Sequence, residues 1–121
     1  MLINLSNHPT NTWSELQLSA AREQFGDIVD IAFPSVDPSF DEMAIDMMTD
    51  KYFDTILEIG EANNIKPIVH LMGEFSFTFA LATKLKAEGI DVIVSTSERQ
   101  TEMNADGSKT IRFDFVRFRK Y

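Results

Sequence analysis

Apolar residues come in short runs separated by longer stretches of helical spacing. Leu2 to Ser6 reads as a first strand, and Ser6 to Thr12 as a polar loop. Ser14 with Gln17 is a capping-box pair, so a helix begins there and runs to about Gln24, with Gly26 as its stop. Asp27 to Phe33 is a second strand, carrying Ile28, Val29, Ile31 and Phe33, and Pro34 and Pro38 punctuate the loop after it. Ser39 and Glu42 form another capping-box pair. The helix they open runs to about Asn63, with Ile45, Met48, Tyr52, Ile56 and Ile59 at helical spacing. Ile68 to Met72 is a third strand that meets Gly73 and passes directly into a Phe-rich helix closing at Gly89.

Asp91 to Ser97 is a fourth strand. Glu98 to Ser108 is polar, contains Asp106-Gly107, and reads as a loop. Thr110 to Lys120 alternates as a last strand, with Ile111, Phe113, Phe115 and Arg117 on one face and Arg112, Asp114, Val116 and Phe118 on the other. Strands alternating with helices imply a parallel sheet with right-handed crossovers. The connection before the last strand has no room for a helix, so that strand is antiparallel to the fourth. The expectation is one α/β domain over 1–121. It is a small Rossmann-like three-layer fold with strand order 2-1-3-4, plus an antiparallel C-terminal edge strand.

Composition narrows the function. A formal charge of -8 argues against a duplex DNA or RNA backbone binder. There is no cysteine and there are only two histidines, so no metal site or cofactor is expected. No apolar run reaches membrane-span length, and the N-terminus lacks the basic start and apolar length of a signal peptide. A cytoplasmic protein with no membrane partner is expected. The dinucleotide, P-loop and nucleophile-elbow glycine patterns are absent. The acidic residues of a phospho-receiver are missing from the ends of the first and third strands.

Three polar groups then stand at predicted carboxyl ends of strands, where open α/β sheets bind ligands. They are Ser6, Asn7 and His8; Gly73, Glu74 and Ser76; and Ser95, Thr96, Ser97, Glu98 and Arg99. Gly73 permits a tight turn and close ligand approach, and the helix after it offers free N–H groups to an anion. Glu74, in the first helical turn, suits the helix dipole and partly opposes that anion. His8 either shapes a loop or acts in chemistry. The hydroxyls of Ser95, Thr96 and Ser97 either cap a strand end or contact an oxyanion, and Arg99 is either solvated or joins them. His70, inside an apolar strand, reads as a satisfied core histidine. Phe75, Phe77, Phe79 and Leu81 cover more of the helix than one sheet-facing stripe, which points to a second buried face, as in a homodimer.

Four blocks carry a resemblance: Asn4-Leu5-Ser6-Asn7-His8-Pro9, the run from His70 to Leu81, Ser95-Thr96-Ser97-Glu98-Arg99, and Phe115-Val116-Arg117-Phe118-Arg119. Together they resemble a family of small single-domain CRISPR-associated proteins of type III systems. The resemblance implies a CARF-like domain that dimerises and binds a cyclic oligoadenylate messenger, cyclic tetra-adenylate foremost. Some such proteins are ring nucleases, which open the ring by metal-independent attack of a ribose 2′-hydroxyl and switch off the antiviral signal. On that reading Arg99 with Ser97 or Thr96 holds the phosphate, Ser6 and Asn7 fix the ribose, and His8 is the general base or acid. Three alternatives stand beside it. One is a binding or sequestering module without turnover. Another is an unrelated small nucleotide enzyme, such as a glycosidase using Glu74. The last is a scaffold whose apolar helix face is its function.

Overall fold

A computed structural model describes all residues from Met1 to Tyr121. The strands are β1 (Leu2–Ser6), β2 (Ile28–Ala32), β3 (Ile68–Met72), β4 (Val92–Met103) and β5 (Lys109–Lys120). The helices are α1 (Glu15–Phe25), α2 (Glu42–Ala62) and α3 (Phe75–Ala87). One five-stranded sheet has the order β2-β1-β3-β4-β5, with β5 antiparallel and the rest parallel. The Rossmann-like α/β fold expected from the sequence is therefore the fold observed.

The strands alternate cleanly, and each sheet face collects its own core. Ile3, Leu5, Val69, Leu71 and Val92 pack against α2 and α3 through Phe53, Ile56, Phe77, Leu81 and Leu85. On the other face Leu2 and Ile93 pack with Ala21 of α1, Trp13 and Phe118.

Helix ends follow local chemistry. Ser14 caps α1 by accepting from Gln17 N–H at 3.2 Å. The expected Ser39 cap is not used: Ser39 turns back onto Asp37, and Asp41 caps α2 by accepting from Ala44 N–H at 2.9 Å. Asp41 and its neighbours thus start the helix later than the Ser39–Glu42 spacing suggests. Asn64 takes the left-handed conformation just past α2, with φ 51°.

The largest departure is the segment 98–108. It is mostly strand, because β4 and β5 continue as a long two-stranded ribbon paired from Ser97–Phe115 out to Met103–Lys109. Only a tight turn remains, in which Gly107 has φ 87°. The ribbon carries a bulge: Thr96 pairs with Arg117 but Ser97 pairs with Phe115, so Val116 is the extra residue. A bulge reverses side-chain alternation. Phe115 and Phe113 therefore join Phe118 on the α1 side of the sheet, not the opposite faces that strict alternation predicts.

Candidate functional site

Each of three adjacent strands has a polar residue at its midpoint, on the α1 face. Asn4 of β1 is in register with Asp30 of β2 on one side and with His70 of β3 on the other. Ser95 of β4 completes the row, because backbone pairing between β3 and β4 ends at His70–Ile93. Beyond that pair the strands separate, and Ser95 N–H meets Met72 Sδ at 3.4 Å in place of a carbonyl. The gap becomes a cleft of about 200 Å³ at the carboxyl ends of the parallel strands. Its walls include Trp13, Phe113 and Phe115, and its polar lining includes His8, Gln17, His70, Ser95 and Ser97.

The protons of the row can be assigned from donor and acceptor capacity. Asn4 Nδ2 sits 2.8 Å from Asp30 Oδ1 and 3.0 Å from the His8 carbonyl, and both of those only accept. That fixes the amide orientation. Asn4 Oδ1 then faces His70 Nδ1 at 2.8 Å, so Nδ1 must donate. A neutral imidazole with its proton on Nδ1 has a lone pair on Nε2. Nε2 therefore accepts from Ser95 Oγ–H at 2.6 Å. Gln17 Nε2 donates to the same Ser95 oxygen at 3.0 Å. With its proton held by His70, Ser95 has a lone pair left for the cleft.

The surroundings keep His70 neutral. The ring is 1% exposed, with Trp13 edge-on at 5.1 Å between centroids and Phe118 at 5.8 Å. Burial, then the nearby His8 charge, lowers its pKa to about 4. His70 is thus the satisfied, buried histidine expected from the sequence, but its Nε2 side also faces a cleft.

Of the residues expected to converge, His8, Ser95, Thr96 and Ser97 line this cleft, while Arg99 does not. Arg99 pairs with Phe113 on the exposed ribbon, because β4 runs on where a strand end was expected. Thr96 is committed to the bulge: its hydroxyl donates to Arg117 O at 3.1 Å and accepts from Arg117 N–H at 3.2 Å. Ser6 is buried and shares its hydroxyl between Asn4 Oδ1 and the His8 carbonyl. That carbonyl also accepts from Trp13 Nε1 at 2.8 Å, so Ser6 holds the loop that places His8 and Trp13. Asn7 is exposed outside the cleft.

The expected anion site after Gly73 is closed by the chain itself. Glu74 is the N-cap of α3, and its carboxylate accepts from Ser76 N–H at 2.9 Å and Phe77 N–H at 2.8 Å. The Ser76 hydroxyl and these two N–H groups hold the Glu74 pKa below the usual carboxylate range. Gly73 is a glycine for packing reasons: a Cβ there would lie 2.2 Å from the Phe33 ring.

Asn4, Gln17 and Asp30 were missed by sequence reasoning. Gln17 stands at the second position of the Ser14 capping-box spacing, yet only its backbone N–H meets Ser14 and its side chain crosses to Ser95. The available signal was a lone polar residue at the centre of each short apolar strand. No group of three or more His, Cys, Asp or Glu side chains assembles as a metal site. No helix is long and apolar enough to cross a membrane.

A Rossmann-like sheet with a small cleft at its strand ends defines a small α/β domain. Residues 1–119 match the uncharacterized protein MJ1673 family, and the chain belongs to that family. No curated protein and no solved structure matches it.

Proposed function

We propose that this protein binds a cyclic oligoadenylate, cyclic tetra-adenylate foremost, and opens the ring by attack of a ribose 2′-hydroxyl. The observation that carries the reading is the lone pair of Ser95 facing a cleft that also holds a free imidazole. The 2′-hydroxyl gives its proton toward Ser95, whose own proton passes to His70 Nε2. The activated oxygen attacks the adjacent phosphorus and leaves a 2′,3′-cyclic phosphate. Ser97 and the second N–H of Gln17 donate to the phosphate oxygens, and His8 protonates the departing 5′-oxygen. Trp13, Phe113 and Phe115 offer stacking surface to a base.

The cleft takes a base and part of its sugar, so a symmetric ring calls for the two clefts of a homodimer. Phe75 and Phe79 of α3, 91% and 76% exposed, are the apolar surface for that contact. Such a protein acts in the cytoplasm, where it lowers the messenger of type III CRISPR defence.

One observation favours a second reading, binding without turnover. Arg99 lies outside the cleft and the α3 N-terminus is closed by Glu74, so neither an arginine nor a helix end meets the phosphate. Incubation with cyclic tri-, tetra- and hexa-adenylate under chelator distinguishes the two, with products read by mass spectrometry. Linear products ending in a 2′,3′-cyclic phosphate are expected, with none from a ring of 2′-deoxyadenylates. An intact ring that still raises the melting temperature would establish the binding module, and neither effect would refute both.

A further inference from the structure

The groups around Ser95 make a constellation that is more specific than proton relay requires. Ser95 Oγ is 2.6 Å from His70 Nε2, and His70 Nδ1 is 2.8 Å from Asn4 Oδ1. Nucleophile, base and orienting amide therefore stand in the order that activates a hydroxyl for acyl transfer. An amide is a weak orienter when it is free to rotate, because it can flip and select the wrong imidazole tautomer. Here Asp30 Oδ1, 2.8 Å from Asn4 Nδ2, prevents the flip and keeps the lone pair on Nε2. Gln17 Nε2, 3.0 Å from Ser95 Oγ, has a second N–H, and a donor this close to the nucleophile is available to a carbonyl oxygen that gathers charge. The adjoining walls, Trp13, Phe113 and Phe115, are aromatic and suit a small apolar acyl group.

We propose that Ser95 is an activated nucleophile, and that the cleft hydrolyses small carboxylic esters through an acyl-serine. Ser95 Oγ attacks the carbonyl carbon and its proton moves to His70 Nε2. The ester C–O bond breaks, and the alcohol leaves with that proton. Water then attacks the acyl carbon, gives its proton to Nε2, and Ser95 departs and is reprotonated from the same nitrogen. One ester and one water become one acid and one alcohol. This inference does not rest on the oligoadenylate reading, because it requires neither phosphate nor ribose.

The test is labelling of the intact protein with a fluorophosphonate, followed by peptide mass spectrometry and by hydrolysis of p-nitrophenyl acetate. The expected result is one adduct, on Ser95, with ester hydrolysis lost in Ser95→Ala. His70→Phe should slow labelling by about 100-fold or more. Gln17→Ala, a partly exposed helix position, should slow ester hydrolysis about tenfold while the adduct stays on Ser95. Circular dichroism verifies that each variant is folded. No adduct, an adduct on another serine, or labelling of folded His70→Phe at the wild-type rate would each overturn the proposal. It would be overturned whatever the protein does to oligoadenylates.

Discussion

The two faces of the sheet use the same strands for opposite purposes. Toward α2 and α3, β1, β3 and β4 present the apolar side chains Ile3, Leu5, Val69, Leu71 and Val92, and the buried polar groups on that side, Thr49 and Thr78, belong to the helices. Toward α1 the same strands present Asn4, His70 and Ser95 between Leu2, Ile68 and Ile93. The first face holds the fold by burial, at about 25 cal/mol per Å² of apolar surface. The second gives up some of that burial for a hydrogen-bonded row that is worth little net energy but is costly to leave half-made. Such a row is tolerated because every Asn4 amide position has a partner. It has one end on the Asp30 carboxylate and the other at a cleft, an arrangement that suits chemistry better than stability.

The largest expected effect comes from damage to the apolar face. Phe77 is fully buried and packs edge-on with Phe33 and Tyr52. Phe77→Ala should cost about 3–5 kcal/mol in urea unfolding, while any remaining folded protein keeps its Ser95 chemistry.

The polar face should respond to pH instead. An unfolded histidine takes its proton near pH 6.5, whereas folded His70 resists until about 4. Below 6.5 the unfolded state binds more protons, so the stability that His70 contributes is present above that pH and is lost as pH falls toward 4. The loss should be roughly 3 kcal/mol in wild type relative to His70→Phe, measured by unfolding across that window. Parallel pH curves for the two proteins would mean that the imidazole is hydrated.

A smaller effect tests the edge of the apolar face. Gly73→Ala drives a methyl into the Phe33 ring and should cost about 1–3 kcal/mol. Combining it with Phe33→Ala should give less than the sum of the two losses, because the clash is removed.

The smallest effect concerns Glu74. Glu74→Ala removes the α3 cap and should cost about 1 kcal/mol, with the proposed turnover of oligoadenylate unaffected. Loss of turnover in a folded Glu74→Ala protein would revive the carboxylate as a catalytic group.

These contrasts also explain what the sequence made legible. Strand order, crossovers and the antiparallel edge follow from alternating apolar runs and from the short connection before β5. The last strand was legible, but the β4 half of the ribbon was hidden, because its Glu98 and Glu102 lie on the exposed side with Arg112 and Asp114, where Arg112 pairs with Glu102 and Asp114. The outer part of β4, from Glu98 to Met103, is nearly all exposed and so has no burial rhythm to detect, and Asp106-Gly107 was the visible mark of the turn. The row was hidden for another reason. Asn4, Asp30 and His70 each look like an isolated polar residue in an apolar strand, and only the cross-strand register lines them up. Arg99 and Glu74 misled in the opposite direction. Their chemistry suited a site, but β4 carries one past the cleft and the other turns its carboxylate onto its own helix.

The most direct measurement is nitrogen NMR of the His70 ring in the intact protein. The account predicts a neutral ring at pH 7 with Nδ1 protonated, Nε2 bare, and titration near 4. A proton on Nε2 would contradict it, because Ser95 would then have no base to take its proton, and a midpoint near 6.5 would mean that the ring is not desolvated by Trp13 and Phe118.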